Sequence, residues 1–248
     1  MRVRDVVGCG LALVLALGAV ACDEQTPESH LQKALGRCAT YRQLSFDRTR
    51  MVTGSGRRTV VIGDSWSVGR HLPDPSRSWP SVLPGQVHVY GYSGSGFSES
   101  AMRRCGHVSF ADRAPAAVAG GAGLVVVEGG INDVRRPRKA VRSGFDRLMH
   151  ILTPYDVVVV GPPVTPMRGT RSDRIDRLLR RWCSRIGVPY ISTLDVKLSY
   201  MSDGLHPTEE GHQKFGRIVA RRIAAVVPSR PSFTRTREQR HPADTALG

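Results

Sequence analysis

The chain has 248 residues, 40% hydrophobic and 23% charged, proportions of a globular protein that exclude wholesale disorder, a collagen-like repeat and a coiled-coil rod. Lys and Arg number 36 against 21 Asp and Glu, a formal charge of +15, which is compatible with nucleic acid, anionic lipid or an acidic polymer as partner. Only four of the basic residues are Lys (33, 139, 197 and 214), and an arginine skew also follows from GC-rich coding, so charge alone assigns no function.

Arg2 and Arg4 precede an uncharged apolar run from Val6 to Ala21, closed by Ala19-Val20-Ala21. A basic start, a short apolar core and small residues at the −3 and −1 positions predict a secretory signal over residues 1–21. The run is shorter than the roughly 20 residues that cross a bilayer. Gly18-Ala19-Val20-Ala21-Cys22 is also similar to a bacterial lipobox, with Ala19 in place of the usual Leu. The expectation is an exported protein, either released or anchored at the outer face of the membrane by lipid on Cys22. Export places Cys22, Cys38, Cys105 and Cys183 where disulfides form. With lipid on Cys22 one of the other three thiols stays unpaired; without it, three pairings are open. No CxxC or Cys/His cluster has zinc spacing, so neither metal nor cofactor is expected.

Residues 22–57 read as a polar N-terminal extension, with a short helix around His30–Leu44 and a break at Gly54-Ser55-Gly56. Residues 58–228 read as the folded domain. Short Val/Ile-rich runs at Thr59–Ile62, Gln86–Tyr90, Leu124–Glu128, Asp156–Val160 and, more weakly, Pro189–Ile191 predict parallel strands covered on both faces. Between them, Ile175, Leu178, Leu179, Trp182 and Ile186 repeat at helical spacing within Arg171–Gly187. Pro207-Thr208-Glu209-Glu210 starts a last helix that buries Phe215, Ile218, Val219, Ile223 and Val226 and stops at Pro228. Alternating strands and helices imply a doubly wound parallel sheet. Residues 229–248, rich in Arg, Ser and Pro, read as a flexible basic tail.

In such a sheet ligands bind beyond the carboxyl ends of the strands. Gly63-Asp64-Ser65 follows the first strand, Gly91-Tyr92-Ser93-Gly94-Ser95-Gly96 the second and Gly129-Gly130-Ile131-Asn132-Asp133 the third, while Asp203-Gly204-Leu205-His206-Pro207 precedes the last helix. Singly these are ordinary turns. All four in this order, each at the functional end of a strand, point instead to function.

The set resembles the SGNH hydrolases, or GDSL esterase/lipase family, whose Ser, Gly, Asn and His match Ser65, Gly94, Asn132 and His206. The resemblance spans about residues 57–228. Trp66 stands where the family most often has Leu, and the second block lacks the Asn often found just before it, so Gly91 or Gly96 could replace Gly94. The resemblance implies a single-domain three-layer α/β/α sandwich with a mainly parallel, flavodoxin-like five-stranded sheet.

The residue chemistry agrees with these roles. A serine hydroxyl needs a base, His206 can supply it, and Asp203, three residues earlier across a Gly-containing turn, can fix the imidazole tautomer. Backbone N–H groups of Ser65 and Gly94 and the Asn132 amide are the expected oxyanion donors. Ser93 fails as a nucleophile-elbow serine because Ser95 replaces the required Gly. Asp64 orders the turn around Ser65, Asp133 bonds backbone or a neighbouring Arg, and Trp79-Pro80 packs a loop on the sheet. His71, His88, His107, His150 and His212 are surface or packing residues. Arg135-Arg136-Pro137-Arg138-Lys139 is either a solvated helix start or a patch that attracts an anionic ester.

The leading expectation is a monomeric, exported serine esterase that acts on a short-acyl ester of a small molecule, carbohydrate or lipid. An acyltransferase to an envelope sugar is the second reading. A non-catalytic basic surface protein that binds polyanions is the third; no specific nucleic-acid partner is expected.

Overall fold

Five runs of mostly β-branched residues form one sheet: β1 (Arg58–Gly63), β2 (Gln86–Gly91), β3 (Leu124–Glu128), β4 (Val157–Val160) and β5 (Tyr190–Ile191). The computed structural model describes residues 27–227, so the expected signal over 1–21, Cys22 and the expected tail over 229–248 lie outside the described residues. The strand order is β2-β1-β3-β4-β5, and every pairing is parallel. This is the flavodoxin-like order, whose topological switch lies between β1 and β3. Each predicted strand forms with ends within one residue of the sequence-based bounds.

Side-chain alternation divides the core into two layers. Val60, Ile62, Val125, Val127 and Val159 face α3 (Phe110–Val118), α4 (Arg138–Leu152) and α5 (Arg171–Arg185), through Phe110, Phe145, Leu148, Ile175 and Trp182. Val61, Val87, Val89, Val126 and Val158 face α6 (Glu209–Val226), through Phe215, Val219 and Ile223, with Trp66 and Trp79 filling the same layer. Burial on both faces explains why the strands are near-continuous apolar runs. Sequence periodicity sets bounds for α5 and α6 but not for α3 and α4. The first of these is capped by a Ser109/Asp112 box and carries Pro115 internally, and its buried side is mostly Ala, a weak apolar signal.

The N-terminal segment departs from expectation. Its helix, α1, runs Pro27–Arg50, longer than the short helix around residues 30–44. It lies against β2, and Cys38, Tyr41, Ser45 and Arg48, which recur at helical spacing, face inward. Cys38 is disulfide-bonded to Cys105, Ser45 donates to the Gly91 carbonyl at 2.6 Å, and the fully buried Arg48 donates to the Met51 carbonyl at 2.7 Å. That stripe is polar, so a hydrophobic pattern does not reveal it. Cys183 is free and buried, and burial pushes its thiol up to about 12.

Candidate active site

The turn after β1 begins at Gly63, where a Cβ would stand 2.0 Å from Ser67 Oγ and 3.2 Å from Glu128 Oε2; only glycine fits. Asp64 follows and caps α2 (Ser65–Val68), its Oδ1 accepting from Trp66 N at 2.9 Å. Ser65 therefore opens a helical turn at the carboxyl end of a central strand, with 5% of its surface exposed.

The 203–206 turn comes from the other end of the chain. Asp203 Oδ1 accepts the backbone N–H groups of Leu205 (2.8 Å) and His206 (2.9 Å), while Oδ2 lies 2.6 Å from His206 Nδ1. Gly204 takes φ +61°, which closes the turn. His206 Nε2 lies 3.0 Å from Ser65 Oγ. Burial raises Asp203, but the hydrogen bonds from His206 and Leu205 outweigh it and hold the carboxylate at about 2. An anionic Asp203 accepts a hydrogen bond from Nδ1–H, which fixes the tautomer and leaves the Nε2 lone pair for the Ser65 hydroxyl. Burial lowers His206 below its ordinary value and the Asp203 charge only partly restores it, so the imidazole is neutral at pH 7. That is the protonation state a general base requires.

The other two blocks meet the same place. Gly94 has φ +80°, and among the described residues its N–H has no hydrogen-bond acceptor. Asn132 Nδ2 donates to Asp64 Oδ2 (3.1 Å) and to the Ser95 carbonyl (2.8 Å). Both amide protons are thus engaged within the protein, and a bond to a substrate oxygen exchanges one of them. Gly96 packs on Asp133, whose carboxylate accepts from Phe97 N and Ser98 N; a Cβ there would be 2.3 Å from Oδ2. Gly91 sits under the Val68 backbone and accepts from Ser45, so both glycines serve packing. Ser93 Oγ is buried without a partner among the described residues.

Beneath the site lies a buried carboxyl pair. Burial pushes Asp64 up to about 7, against the Trp66 N–H and the nearby Arg113 charge. Burial and the charge of Asp64 raise Glu128 well above 4.5, while Ser67 Oγ donates to its Oε2 at 2.9 Å. Arg113 spans Gly63 and Ser95, bonding Gly63 O at 2.9 Å and Ser95 Oγ at 2.8 Å.

Three residues of the site escaped sequence reasoning. Trp66 Nε1 donates to the Leu205 carbonyl at 3.1 Å. His71, the one non-glycine residue with positive φ among those described (+71°), sets its ring edge-on to His206, centroids 4.9 Å apart. Its Nε2 accepts from Arg70 Nε at 2.9 Å. Glu128 reads as the last residue of a strand and nothing more. No local pattern marks any of them, since each acts through a partner remote in sequence or through backbone strain. His71, Asp203 and His206 also come within 4.8 Å of one another, close enough to share a cation, though Arg70 and the Asp203–His206 bond occupy those atoms.

The pattern of the GDSL-like Lipase/Acylhydrolase family matches residues 61–214, from β1 into α6, and takes in all four blocks. The chain belongs to that family. This GDSL-like hydrolase is thus an ester hydrolase by family. It is similar in fold to the native aryl esterase of M. smegmatis, at 22% identity and TM-score 0.56 over 69% of this chain and 100% of that one. It is similar also to Est24, a carbohydrate acetylesterase from Sinorhizobium meliloti, at 21% identity and TM-score 0.56 over 68% and 99%. A carbohydrate acetylesterase family member from the same species aligns at 17% identity and TM-score 0.55 over 69% and 99%. At these identities the likeness is one of fold. No curated protein sequence matches the hydrolase.

Proposed function

We propose that the hydrolase is an exported serine esterase that cleaves a short-acyl carboxylic ester through an acyl-Ser65 intermediate. The observation that carries this reading is the chain of contacts from Ser65 Oγ through His206 to Asp203, at 3.0 and 2.6 Å. His206 Nε2 takes the hydroxyl proton as Oγ attacks the ester carbonyl, and the carbonyl electron pair moves onto oxygen. The N–H groups of Ser65 and Gly94 and the Asn132 amide, once it releases one internal acceptor, hold that oxyanion. Collapse expels the alcohol with the proton from His206, and a water activated by the same imidazole hydrolyses the acyl-serine.

The Met102 methyl crowds Gly94, lying 2.0 Å from where a Cβ would stand, and that crowding favours a small acyl group. The aryl esterase and carbohydrate acetylesterases that share the fold are consistent with that size. Export is supported by the 1–21 segment and by the Cys38–Cys105 disulfide, a bond that persists in oxidising compartments. The test is hydrolysis of an acyl-length series, acetate to octanoate, by the parent enzyme and Ser65→Ala, with fluorophosphonate labelling. Turnover that peaks at acetate or butyrate and disappears with Ser65→Ala, together with labelling of Ser65, is expected. Retained turnover in Ser65→Ala ends the assignment.

A further inference from the structure

A cleft of about 660 Å³ separates α1 from the loop after β2, and four of its lining residues are arginines. Arg37 comes from α1, Arg103 and Arg104 from the 103–105 turn, and Arg136 from the segment after Asn132. No carboxylate lines the cleft, and none of the four forms an ion pair among the described residues. Other surface arginines do find carboxylates, as Arg77 does Glu209 and Arg222 does Asp195, both at 2.7 Å. Like charges gathered in one cleft repel, and a bound anion relieves that repulsion.

Arg136 is fixed at the cleft wall, where its Nη2 donates to the Ala101 carbonyl at 3.2 Å. The cleft is also held in shape, because the Cys38–Cys105 disulfide joins its two sides.

Its position ties it to the chemistry. Met102 lines the cleft, and the same side chain lies over Gly94, so one residue separates the arginines from the proposed oxyanion donor. We propose that this cleft is a subsite for an anionic group, phosphate or carboxylate, carried by the ester substrate beyond its acyl group. Planar guanidinium groups bind both anions with paired hydrogen bonds, a geometry lysine does not offer. Of the basic run 135–139, only Arg136 takes part; Arg138 opens α4. The inference rests on the serine-esterase reading and narrows its substrate class.

The experiment compares kcat/KM within two matched ester pairs: 4-acetoxybenzoate against phenyl acetate for a carboxylate, and 1-acetylglycerol 3-phosphate against monoacetin for a phosphate. The parent enzyme is expected to prefer at least one anionic ester by about tenfold, mainly through KM. Arg104→Gln/Arg136→Gln, and separately Arg37→Gln/Arg103→Gln, lower that ratio by about fivefold or more. The ratio is the readout because a poorly folded variant loses both members of a pair together, and two independent variants guard against one failing to fold. Arg217→Gln/Arg221→Gln on the outer side of α6 leaves the ratio in place. Equal rates within both pairs, or an equal fall with the α6 variant, overturn the subsite. Loss of all four activities in the parent enzyme, or turnover retained by Ser65→Ala, overturns the esterase reading instead.

Discussion

The indole N–H of Trp66 donates to the carbonyl oxygen of Leu205 at 3.1 Å, joining the residue after Ser65 to the residue before His206. The ring is 1% exposed and packs edge-on against Phe215 of α6, centroids 5.3 Å apart. The two halves of the Ser65–His206 contact are therefore fixed by a common strut. Trp66→Phe keeps most of the packing and removes the donor. A hydrogen bond of this kind contributes about 1 kcal/mol, so kcat is expected to fall roughly fivefold with KM little changed. Steady-state kinetics check this, and an unchanged kcat removes the strut from the mechanism.

In the proposed mechanism activity depends on neutral His206. Burial holds the imidazole below its ordinary 6.5, so the acid limb of kcat/KM lies below that value and activity persists above it. Asp203→Asn removes the charge that raises His206, which moves the limb to still lower pH. The same change spoils the tautomer and lowers the plateau by as much as about 10⁴. A pH–rate profile of both proteins reads both effects. A limb that moves to higher pH contradicts the electrostatics.

Gly94→Ala meets two obstacles, a φ of +80° and a Met102 methyl 2.0 Å from the new Cβ. A drop in kcat of about 10²–10³ is expected if the strained backbone turns its N–H away from the oxyanion. Met102→Ala in the same chain clears the space but leaves the φ strain, so it restores stability in part and kcat little. A double-mutant cycle in melting temperature and kcat separates the two causes.

Glu128 gives a stability prediction. Burial, followed by the charge of Asp64, keeps its folded-state pKa above the 4.5 of the unfolded chain. The folded protein thus holds the proton longer, and this contribution is complete below 4.5 and is lost as pH rises through the folded value. Glu128→Gln removes this part of the dependence and leaves that of Asp64. Melting temperatures between pH 5 and 9 should decline less steeply than in the parent, and an identical slope argues for an ionised Glu128.

The disulfide closes a loop with a sequence separation of 67 residues. Its removal by Cys38→Ser/Cys105→Ser costs about 2–5 kcal/mol. Equilibrium denaturation measures the loss, and no change would mean that α1 holds its place on β2 without the bond.

The legibility of the chain differs from element to element. Val60-Val61-Ile62 and Leu124–Glu128 announce strands because both faces are buried, and every position carries the signal. Ser65, Asn132, Asp203 and His206 stand out because each block is short, contiguous and set at the end of an element that periodicity locates. Cys38, Tyr41, Ser45 and Arg48 form a contact stripe at helical spacing too, but hydroxyl, guanidinium and sulfur do not register as hydrophobic. Trp66 reads as a departure from a family habit, and its partner lies 139 residues away.

By itself the sequence determined the strand series, the order of the four blocks and the residue types that could do ester chemistry. All of these follow from local propensity and from spacing along the chain. Tertiary structure alone decided which cysteines pair, that both protons of Asn132 are held inside the protein, that Trp66 braces Leu205, and that four arginines face one cleft beside Gly94. Each of these is a contact between groups distant in the chain, set by how layers and loops pack, and no local pattern encodes such a distance.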